Sequence, residues 1–344
     1  MELERHLLAS CTLAIIIFGC FGNILSALVF LQRTSSINIL LTALSLIDFG
    51  LLLFAIPVFV LPNLQSGELF YSEQFQAIVV KFLYPVNLIF QTCSIYTIVL
   101  ITAERYLAIC RPLHVRSLCT PRTAKRSLFF ILGFSIAYNI VRFWEYTLIE
   151  SSDGSLSFQR NLRNPNDHPW YMLGYYSLLF LLSHFLLPFG TIISLNGLLA
   201  HRILNLRSIR EQLTNKQLRE HNTTAMLLLV TLSFALCNVL PFLLNLAECV
   251  QSDLFVNEST AATAFILNDL ANFLVVLNSS TTWIYYAVFS AKYREGVAYL
   301  FGLRTLDRRR SGLVTNTVEE RSNSACSNYN SATGGMQNFE PNKL

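Results

Sequence analysis

An acid and an arginine stand side by side at the end of a long apolar stretch of this sequence. Glu104 and Arg105, followed by Tyr106, close a run that begins near Ala77, and a basic loop containing Pro112 comes next. A charge at such a depth in a membrane costs roughly 2.5 to 3.5 kcal/mol unless it has a partner or faces water. Glu104 can pair with Arg105, or Arg105 can bind an incoming partner. These alternatives make the pair a candidate conformational switch.

A second set of polar residues lies in the middle of apolar stretches, where lipid offers no hydrogen-bond partner. We predict that these residues share a hydrogen-bonded cluster around Asp48, which could hold water or a small cation. A static network that only joins helices is the alternative. The members are Asn23, Asp48, Ser94, Asn278 and Ser279.

A third set lies in the outer halves of the apolar stretches. So many polar groups at one level predict a water-accessible ligand cavity that opens to the outside. Arg142 and Glu145 are three residues apart and can instead neutralise each other. The candidate cavity residues are Tyr84, Asn87, Gln91, Arg142, Trp144, Glu145, His184, Asn238, Phe242, Glu248, Asp269 and Asn272.

The elements that must position these residues are transmembrane helices. Of the 344 residues, 53% are hydrophobic and only 13% are charged, against about 25% charged in an ordinary soluble domain. We predict an all-α membrane protein, a seven-transmembrane helix bundle over residues 7–289 that follows a short extracellular N-terminus, residues 1–6. The apolar segments are about Leu7 to Leu31, Ile37 to Leu61, Ala77 to Ile109, Ser127 to Leu148, Trp170 to Leu199, Thr223 to Val250 and Ala262 to Phe289.

The distribution of basic residues predicts the orientation. Lysines and arginines concentrate in the first, third and fifth loops and in the tail, whereas the alternate loops hold mostly acids, with Arg160 and Arg163 opposing. The N-terminus is therefore expected outside, without a cleavable signal peptide. Asn257 begins the outward-facing glycosylation sequence Asn257-Glu258-Ser259.

Two further regions follow the seventh segment. Residues 290–302 place apolar and charged residues at helical spacing, which predicts a short amphipathic peripheral helix along the inner membrane surface. Residues 303–344 are rich in Ser, Asn, Thr and Gly and are expected to form a disordered cytoplasmic tail. Prolines within the apolar segments predict kinks at Pro57, Pro85, Pro188 and Pro241, the last a candidate pivot.

Other classes of function receive less support. The eight cysteines form no CxxC pair, and no nucleophile with its base, metal-ligand cluster or phosphate loop appears, so enzyme chemistry and nucleic-acid binding are not expected. A transporter or channel is an alternative, but the halves of the chain show no repeated hydropathy motif. A receptor-like protein that no longer signals is a third interpretation.

The whole pattern resembles the rhodopsin-like G-protein-coupled receptors from Leu7 to Phe301. The markers are Gly22-Asn23, Leu44 to Asp48, Glu104-Arg105-Tyr106, Pro188, Pro241, and Tyr286 followed by Tyr293. A narrower resemblance is to the FMRFamide-receptor-like neuropeptide receptors of invertebrates. It depends on Arg33 to Asn38, Ala103 to Leu113, Phe134 to Asn139, Arg142 to Glu145 and Leu274 to Ser280.

The resemblance implies a mechanism and a set of partners. Glu104 would hold Arg105 at rest, and an outward swing of the sixth segment would release Arg105, with Tyr106 and Tyr286, to a heterotrimeric G protein. The cluster around Asp48 would bind sodium and water, with no other cofactor. Expected partners are an extracellular peptide, membrane lipids and, through the tail, arrestin. The location would be the plasma membrane.

The same resemblance suggests the ligand. Asn87 stands where amine receptors carry an aspartate, and the seventh segment has no lysine for retinal. An amidated Arg-Phe peptide would need an acid for its guanidinium and an apolar site for its ring. The acid candidates are Glu145, Glu248 and Asp269, and the ring candidates are Tyr84, Phe242 and Trp144.

Several positions depart from the family pattern. The Asn-Pro-x-x-Tyr motif is replaced by Thr282 to Tyr286, with Trp283 in the place of the proline, and Val239 replaces a tryptophan two residues before Pro241. No cysteine lies near Lys81, so the family's disulfide to the second outer loop cannot form. That loop should be looser or tied by other contacts.

Overall fold

The structure is a computed structural model, and it describes residues 2–64, 73–111, 115, 117–150, 156–164, 167–209, 215–251, 254–255 and 257–303. The chain divides into two compact units, Met1–Val297 and Ala298–Leu344. The predicted disordered tail lies outside the described residues, apart from Leu303.

Seven helical spans in the first unit are long and apolar enough to cross a membrane, which confirms the predicted bundle. They contain 20 to 37 residues, and about 20 are needed to cross the hydrocarbon layer. Spans 1 to 7 are Glu4–Leu31, Ser36–Asn63, Gln74–Cys110, Pro121–Trp144, Tyr171–Arg202, Leu229–Glu248 and Ser259–Phe289. We call the end of the bundle where span 1 begins the outer end, following the predicted orientation.

The helical elements differ in winding. The described α-helices are α1 Glu2–Leu31, α2 Ser36–Ala55, α3 Glu73–Ile78, α4 Tyr84–Cys110, α5 Pro121–Asn139, α6 Leu187–Ile209, α7 Asn215–Val250, α8 Glu258–Phe289 and α9 Ala291–Leu300. Wider π-helical turns occupy Ile56–Val60, Val79–Leu83, Tyr171–Leu179 and Leu181–Leu186, and tighter 3-10 turns occupy Leu61–Asn63 and Ile140–Trp144.

Three of the four prolines mark a change of winding. Pro57 lies inside a π-helical stretch, and Pro85 and Pro188 each follow one at the start of an α-helix. Proline has no N–H to donate, so the regular bond to the carbonyl four residues earlier is lost and the turn can widen. Pro241 instead lies within the continuous helix α7.

A β-hairpin between spans 4 and 5 adds to the helices that the sequence predicted. Strands β1, Tyr146–Glu150, and β2, Leu156–Arg160, pair antiparallel with Tyr146 opposite Arg160. Five-residue strands in a loop carry little sequence signal, and an isolated hairpin is marginally stable in water. Its contacts with the bundle are therefore important.

Buried side chains form two clusters inside the bundle. The inner cluster contains Leu44, Ile98 and Tyr286, and the outer cluster contains Ile16 and Val276. Large apolar residues on the opposite helix faces are exposed, as expected where lipid is the solvent. Examples are Phe129, Ile193 and Leu236, which are 73%, 65% and 65% exposed.

Helix α9 packs against the inner end of span 1 through its first turns. The Tyr293 hydroxyl lies 3.0 Å from the Ser26 hydroxyl, and Gln32 donates to the Gly296 carbonyl at 3.3 Å. Burial raises the pKa of Tyr293, although its bond to Ser26 lowers it, so the phenol stays protonated. The position of α9 along the membrane surface stays a prediction.

The described part of the second unit completes this helix. Gly302 has φ of +69°, and the N–H groups of Gly302 and Leu303 donate to the carbonyls of Tyr299 and Ala298. This is a Schellman cap, in which glycine takes the left-handed conformation that other residues adopt at a cost.

Candidate functional site

A cavity of about 460 Å³ lies at the outer end of the bundle, which is within the usual size of a small-ligand site. Its wall comes from spans 1, 2, 3, 4, 5, 6 and 7 and from the hairpin. Seven of the twelve candidates line it. They are Tyr84, Asn87, Gln91, Arg142, Glu248, Asp269 and Asn272.

Three candidates lie away from this cavity, which corrects the prediction for them. The side chain of Trp144 is 55% exposed outside the cavity, so it cannot hold a ligand ring there. Phe242 stacks on Phe185 with ring centroids 4.2 Å apart. Asn238 donates to the Phe234 carbonyl of its own helix at 2.8 Å.

His184 is also off the cavity wall, because it belongs to a buried polar cluster between spans 3, 4 and 5. Its Nε2 lies 3.0 Å from the Thr92 hydroxyl, and Thr92 accepts a bond from the Asn139 amide at 2.9 Å. Its ring stacks on Phe180 with centroids 4.8 Å apart. These contacts join helices and leave no face for a ligand.

Arg142 and Glu145 neutralise each other, as one of the two alternatives proposed. Arg142 Nη1 donates to Glu145 Oε1 at 2.6 Å, and the side chains are only 3% and 0% exposed. The Tyr171 hydroxyl donates to the same oxygen at 2.6 Å. Glu145 is the fifth candidate that does not line the cavity.

A second buried pair joins the outer loop to span 6. Arg163 Nη2 donates to both Glu248 oxygens, at 3.0 and 2.7 Å, and the Tyr176 hydroxyl donates to Glu248 at 2.9 Å. Burial lowers the pKa of Arg163, but Tyr146, Tyr176 and Glu248 raise it well above its usual value. The Arg163 guanidinium therefore stays charged and fixed.

The ring of Tyr176 lies between two cations. The guanidinium carbons of Arg142 and Arg163 lie 4.9 and 4.8 Å from its centroid. Such contacts are worth about 0.5 to 2 kcal/mol each, depending on desolvation. They strengthen both buried pairs.

The third pair is more open. Arg5 Nε donates to Asp269 Oδ2 at 2.8 Å, with side-chain exposures of 38% and 12%. Asn63 donates to the other Asp269 oxygen at 3.3 Å, and the Arg5 guanidinium lies 5.7 Å from the centroid of Phe265.

These pairs correct the simple picture of a free acid awaiting a ligand. Each of the three candidate acids already has an arginine of this chain as its partner. Arg160 also lines the cavity and forms no ion pair within the described residues. A cationic ligand that binds one of these three acids must therefore share or displace its resident arginine.

Lys81 ties the hairpin to span 3 where the family's disulfide is missing. Its ammonium donates to the carbonyls of Phe143 and Tyr146 at 2.6 and 2.7 Å. The Asn161 N–H closes the hairpin base on the Glu145 carbonyl at 2.8 Å. The loop is thus held by other contacts, which is one of the two predicted outcomes.

Several cavity residues were not singled out from the sequence. Arg5, Asn63 and Phe265 lie at the ends of spans 1, 2 and 7, and Arg163 lies in a loop. The signal that could have found Arg163 was its exception to the charge asymmetry. A cation on the acidic side of a membrane protein needs a reason to be there.

The structure brings four of the five cluster residues together around Asp48. Ser94 and Ser279 donate to Asp48 Oδ1 at 2.6 and 3.4 Å, and the Asn23 amide donates to the Ser279 carbonyl at 3.0 Å. Asn278 is buried next to Ser279, and its carbonyl accepts a bond from Thr282. Spans 1, 2, 3 and 7 are joined at this level.

At the inner end, Glu104 is bonded to a residue other than the expected one. Ser36 donates to Glu104 Oε2 at 2.8 Å, and no ion pair joins Glu104 to Arg105 within the described residues. Arg105 Nε is buried without a hydrogen-bond partner there. Tyr286 is 2% exposed and near enough to Arg105 to interact electrostatically, whereas Tyr106 is half-buried.

Asn257 is exposed and caps α8. Its Oδ1 accepts bonds from the Ser259 N–H and hydroxyl at 3.2 and 3.0 Å. An exposed asparagine at a helix start is accessible to modification, so the geometry is compatible with the predicted glycosylation.

Comparisons with known proteins agree with this architecture. The family described as "7 transmembrane receptor (rhodopsin family)" matches residues 22–286. The FMRFamide peptide receptor frpr-18 of Caenorhabditis elegans is 44% identical over 302 residues, covering 86% of this chain and 69% of that protein. The FMRFamide receptor of Drosophila melanogaster is 30% identical over 306 residues, covering 87% of this chain and 54% of its own length. Galanin receptor 2b of Danio rerio is 25% identical over 316 residues, covering 88% of this chain and 78% of that receptor.

Proposed function

This chain belongs to the rhodopsin family of seven-transmembrane, G-protein-coupled receptors, and from that premise we propose that it binds an amidated Arg-Phe peptide and activates a heterotrimeric G protein. Membership in this family makes it a multi-pass protein of the plasma membrane. Two relatives, 44% and 30% identical, are named as FMRFamide receptors, which supports the ligand class.

The observation that carries the ligand proposal is the chemical pairing on the cavity wall. Arginine guanidinium groups already pair with carboxylates there, as the arginine of a ligand would. Phe255 and Phe265, with centroids 5.4 Å apart, border the cavity near Asp269 and replace Phe242 and Trp144 as the site for the ligand's phenyl ring. Gln91 supplies an amide for the peptide backbone, whereas the buried Asn87 amide already donates to the Leu51 carbonyl at 3.0 Å.

The signal would pass to the inner end by a change of conformation rather than by covalent chemistry. Phe242, Phe185, Phe189 and Phe234 form a continuous aromatic stack between spans 5 and 6, with centroids 4.2 to 5.2 Å apart. A ligand that favours one arrangement of this stack would shift the population of span 6 positions by its differential affinity. Arg105 would then be available to the G protein, which exchanges its nucleotide.

The residues around Asp48 fit a sodium ion. One carboxylate and the hydroxyl oxygens of Ser94 and Ser279 form an all-oxygen donor set, which hard cations prefer. When bound, the ion would neutralise a carboxylate that is 1% exposed and hold spans 2, 3 and 7 in the resting arrangement. Arrestin at the tail and anionic lipids at the basic inner loops are the further partners that we propose.

A receptor-like protein that does not signal is the second candidate. It is favoured by Val239, an aliphatic side chain where the family pattern has a tryptophan ring, and by Trp283 in the place of a proline. Signalling by the wild-type chain would reject it.

The decisive experiment is a second-messenger assay on cells that express the chain, challenged with a panel of amidated peptides. We expect a dose-dependent response to peptides ending in Arg-Phe-amide and its loss in Arg105→Ala at equal surface level. Silence to every peptide, despite surface expression, would reject the ligand class. A response that survives Arg105→Ala would reject the proposed switch.

A further inference from the structure

The three resident ion pairs at the outer end differ in how easily a ligand could break them. Arg142 and Glu145 are 3% and 0% exposed, and Arg163 and Glu248 are 14% and 4% exposed. Arg5 is 38% exposed, and Asp269 is 12% exposed. Water can therefore solvate the Arg5 guanidinium once it leaves Asp269, whereas Arg142 or Arg163 would remain buried without a counter-ion.

The lengths of the bonds also distinguish Asp269, whose two bonds are 2.8 and 3.3 Å long, from Glu145, whose two bonds are both 2.6 Å long. Glu248 accepts two contacts from Arg163 Nη2 and one from the Tyr176 hydroxyl, and Glu145 is held by Arg142 and Tyr171. Asp269 accepts one bond from Arg5 Nε and a long bond from Asn63. A bidentate guanidinium would form two hydrogen bonds to Asp269, whereas Arg5 forms one through its Nε.

Asp269 is also where a ligand arginine and its neighbouring ring can be placed together. Both Arg5 and Asp269 line the cavity, and so do Phe255 and Phe265. Phe265 is 42% exposed and already accepts the Arg5 guanidinium on its face. A ligand guanidinium at Asp269 would form the same cation–π contact with Phe265.

We propose that Arg5 is a resident competitor: it occupies Asp269 in the absence of ligand, and the arginine of the peptide replaces it there. This inference rests on the proposed function and deepens it, because it assigns the ligand's cation to one acid out of three. It makes Asp269 a ligand-binding residue and Arg5 a residue that sets affinity by competition.

The exchange also changes which spans are connected. Arg5 in span 1 and Asn63 in span 2 both bond to Asp269 in span 7. When the peptide takes the place of Arg5, the ion pair between the outer ends of spans 1 and 7 is released, and span 7 becomes linked to the ligand. Binding and a loosening of the outer end of span 1 are thus coupled.

The test is competition binding of a labelled Arg-Phe-amide peptide and its citrulline analogue, which has the same shape without the charge. Wild type, Arg5→Gln, Asp269→Asn and the double variant are compared at equal surface level. We expect Arg5→Gln to tighten binding of the arginine peptide about two- to five-fold and to leave the citrulline peptide unchanged. Asp269→Asn should weaken the arginine peptide at least about ten-fold, and Arg5→Gln should then have no effect.

Arg160→Gln is the matched control, since it removes a cavity cation that forms no ion pair with the described acids. Equal gains from Arg160→Gln and Arg5→Gln would mean that general charge, and not competition, is responsible, and would overturn the proposal. Weaker or unchanged binding in Arg5→Gln would overturn it as well, while the peptide-receptor proposal would stand. Failure of the wild type to bind any amidated peptide would overturn both.

Discussion

The indole ring of Trp283 in span 7 packs directly against the backbone of Gly22 in span 1. A Cβ atom at Gly22 would lie 2.0 Å from the indole Cδ1 and Nε1 atoms. Phe18 covers the same ring, with centroids 4.9 Å apart. Trp283 stands where the family pattern has a proline, so the bulk of this residue is accommodated by a glycine on the neighbouring span.

This contact predicts the effect of Gly22→Ala. The methyl group would overlap the indole, and overpacking of this kind costs about 1 to 3 kcal/mol. We expect a lower melting temperature of the purified receptor and reduced surface expression. Gly133→Ala is the control, because nothing lies within 4 Å of a Cβ at that position. Equal stability of the two variants would contradict the packing argument.

Lys81→Met should loosen the hairpin. The substitution removes both bonds to the carbonyls of Phe143 and Tyr146, and bonds from a charged donor are worth about 1.5 to 3 kcal/mol each. We expect faster proteolysis of the loop between spans 4 and 5 and weaker peptide binding. Lys125→Met removes a lysine that is exposed at the other end of the bundle and should change neither measurement. Unchanged proteolysis in Lys81→Met would show that the hairpin is held elsewhere.

Glu104→Gln and Glu104→Leu should have different effects. Glutamine keeps an oxygen that can accept the bond from Ser36, so only the charge facing Arg105 is lost. We expect raised basal second-messenger output in Glu104→Gln at normal stability. Glu104→Leu should raise basal output and also lower thermal stability, because Ser36 loses its acceptor. If Glu104→Gln signals like the wild type, the charge of Glu104 does not restrain the receptor.

Asp48→Asn should remove a sodium effect on agonist affinity. If an ion at Asp48 favours the resting state, replacing sodium chloride by choline chloride tightens agonist binding to the wild type. The amide cannot neutralise a cation, so the variant should show one affinity in both salts. A wild type that is insensitive to sodium would reject the proposed ion.

Asn257→Asp separates the capping role of this residue from its glycosylation. The carboxylate can still accept bonds from Ser259 at the helix start, so stability should be retained. The glycan cannot form, and we expect the faster gel mobility that glycosidase treatment gives to the wild type. Ser259→Thr keeps the acceptor sequence and should migrate like the wild type. Identical mobility of all forms would reject glycosylation.

The seven-span bundle follows from local features of the sequence. A span needs a run of apolar residues whose length is set by membrane thickness, and that information is local, so seven spans could be predicted. Polar residues inside such runs have to find partners, and the grouping of Asn23, Asp48, Ser94 and Ser279 followed from that requirement.

Which charged side chains pair with each other depends on long-range contacts in the fold. Arg5 and Asp269 are 264 residues apart, and Arg163 and Glu248 are 85 apart, so no local spacing connects them. The sequence offered three acids as equivalent candidates, and the burial of the ion pairs and the lengths of the bonds distinguished Asp269 from the others. The sequence also suggested an ion pair between Glu104 and Arg105. Packing of span 2 against span 3 instead brings the Ser36 hydroxyl within hydrogen-bond distance of the Glu104 carboxylate. The strength of an ion pair depends on the distance between the two groups and on their desolvation in the folded bundle, and neither can be read from sequence spacing.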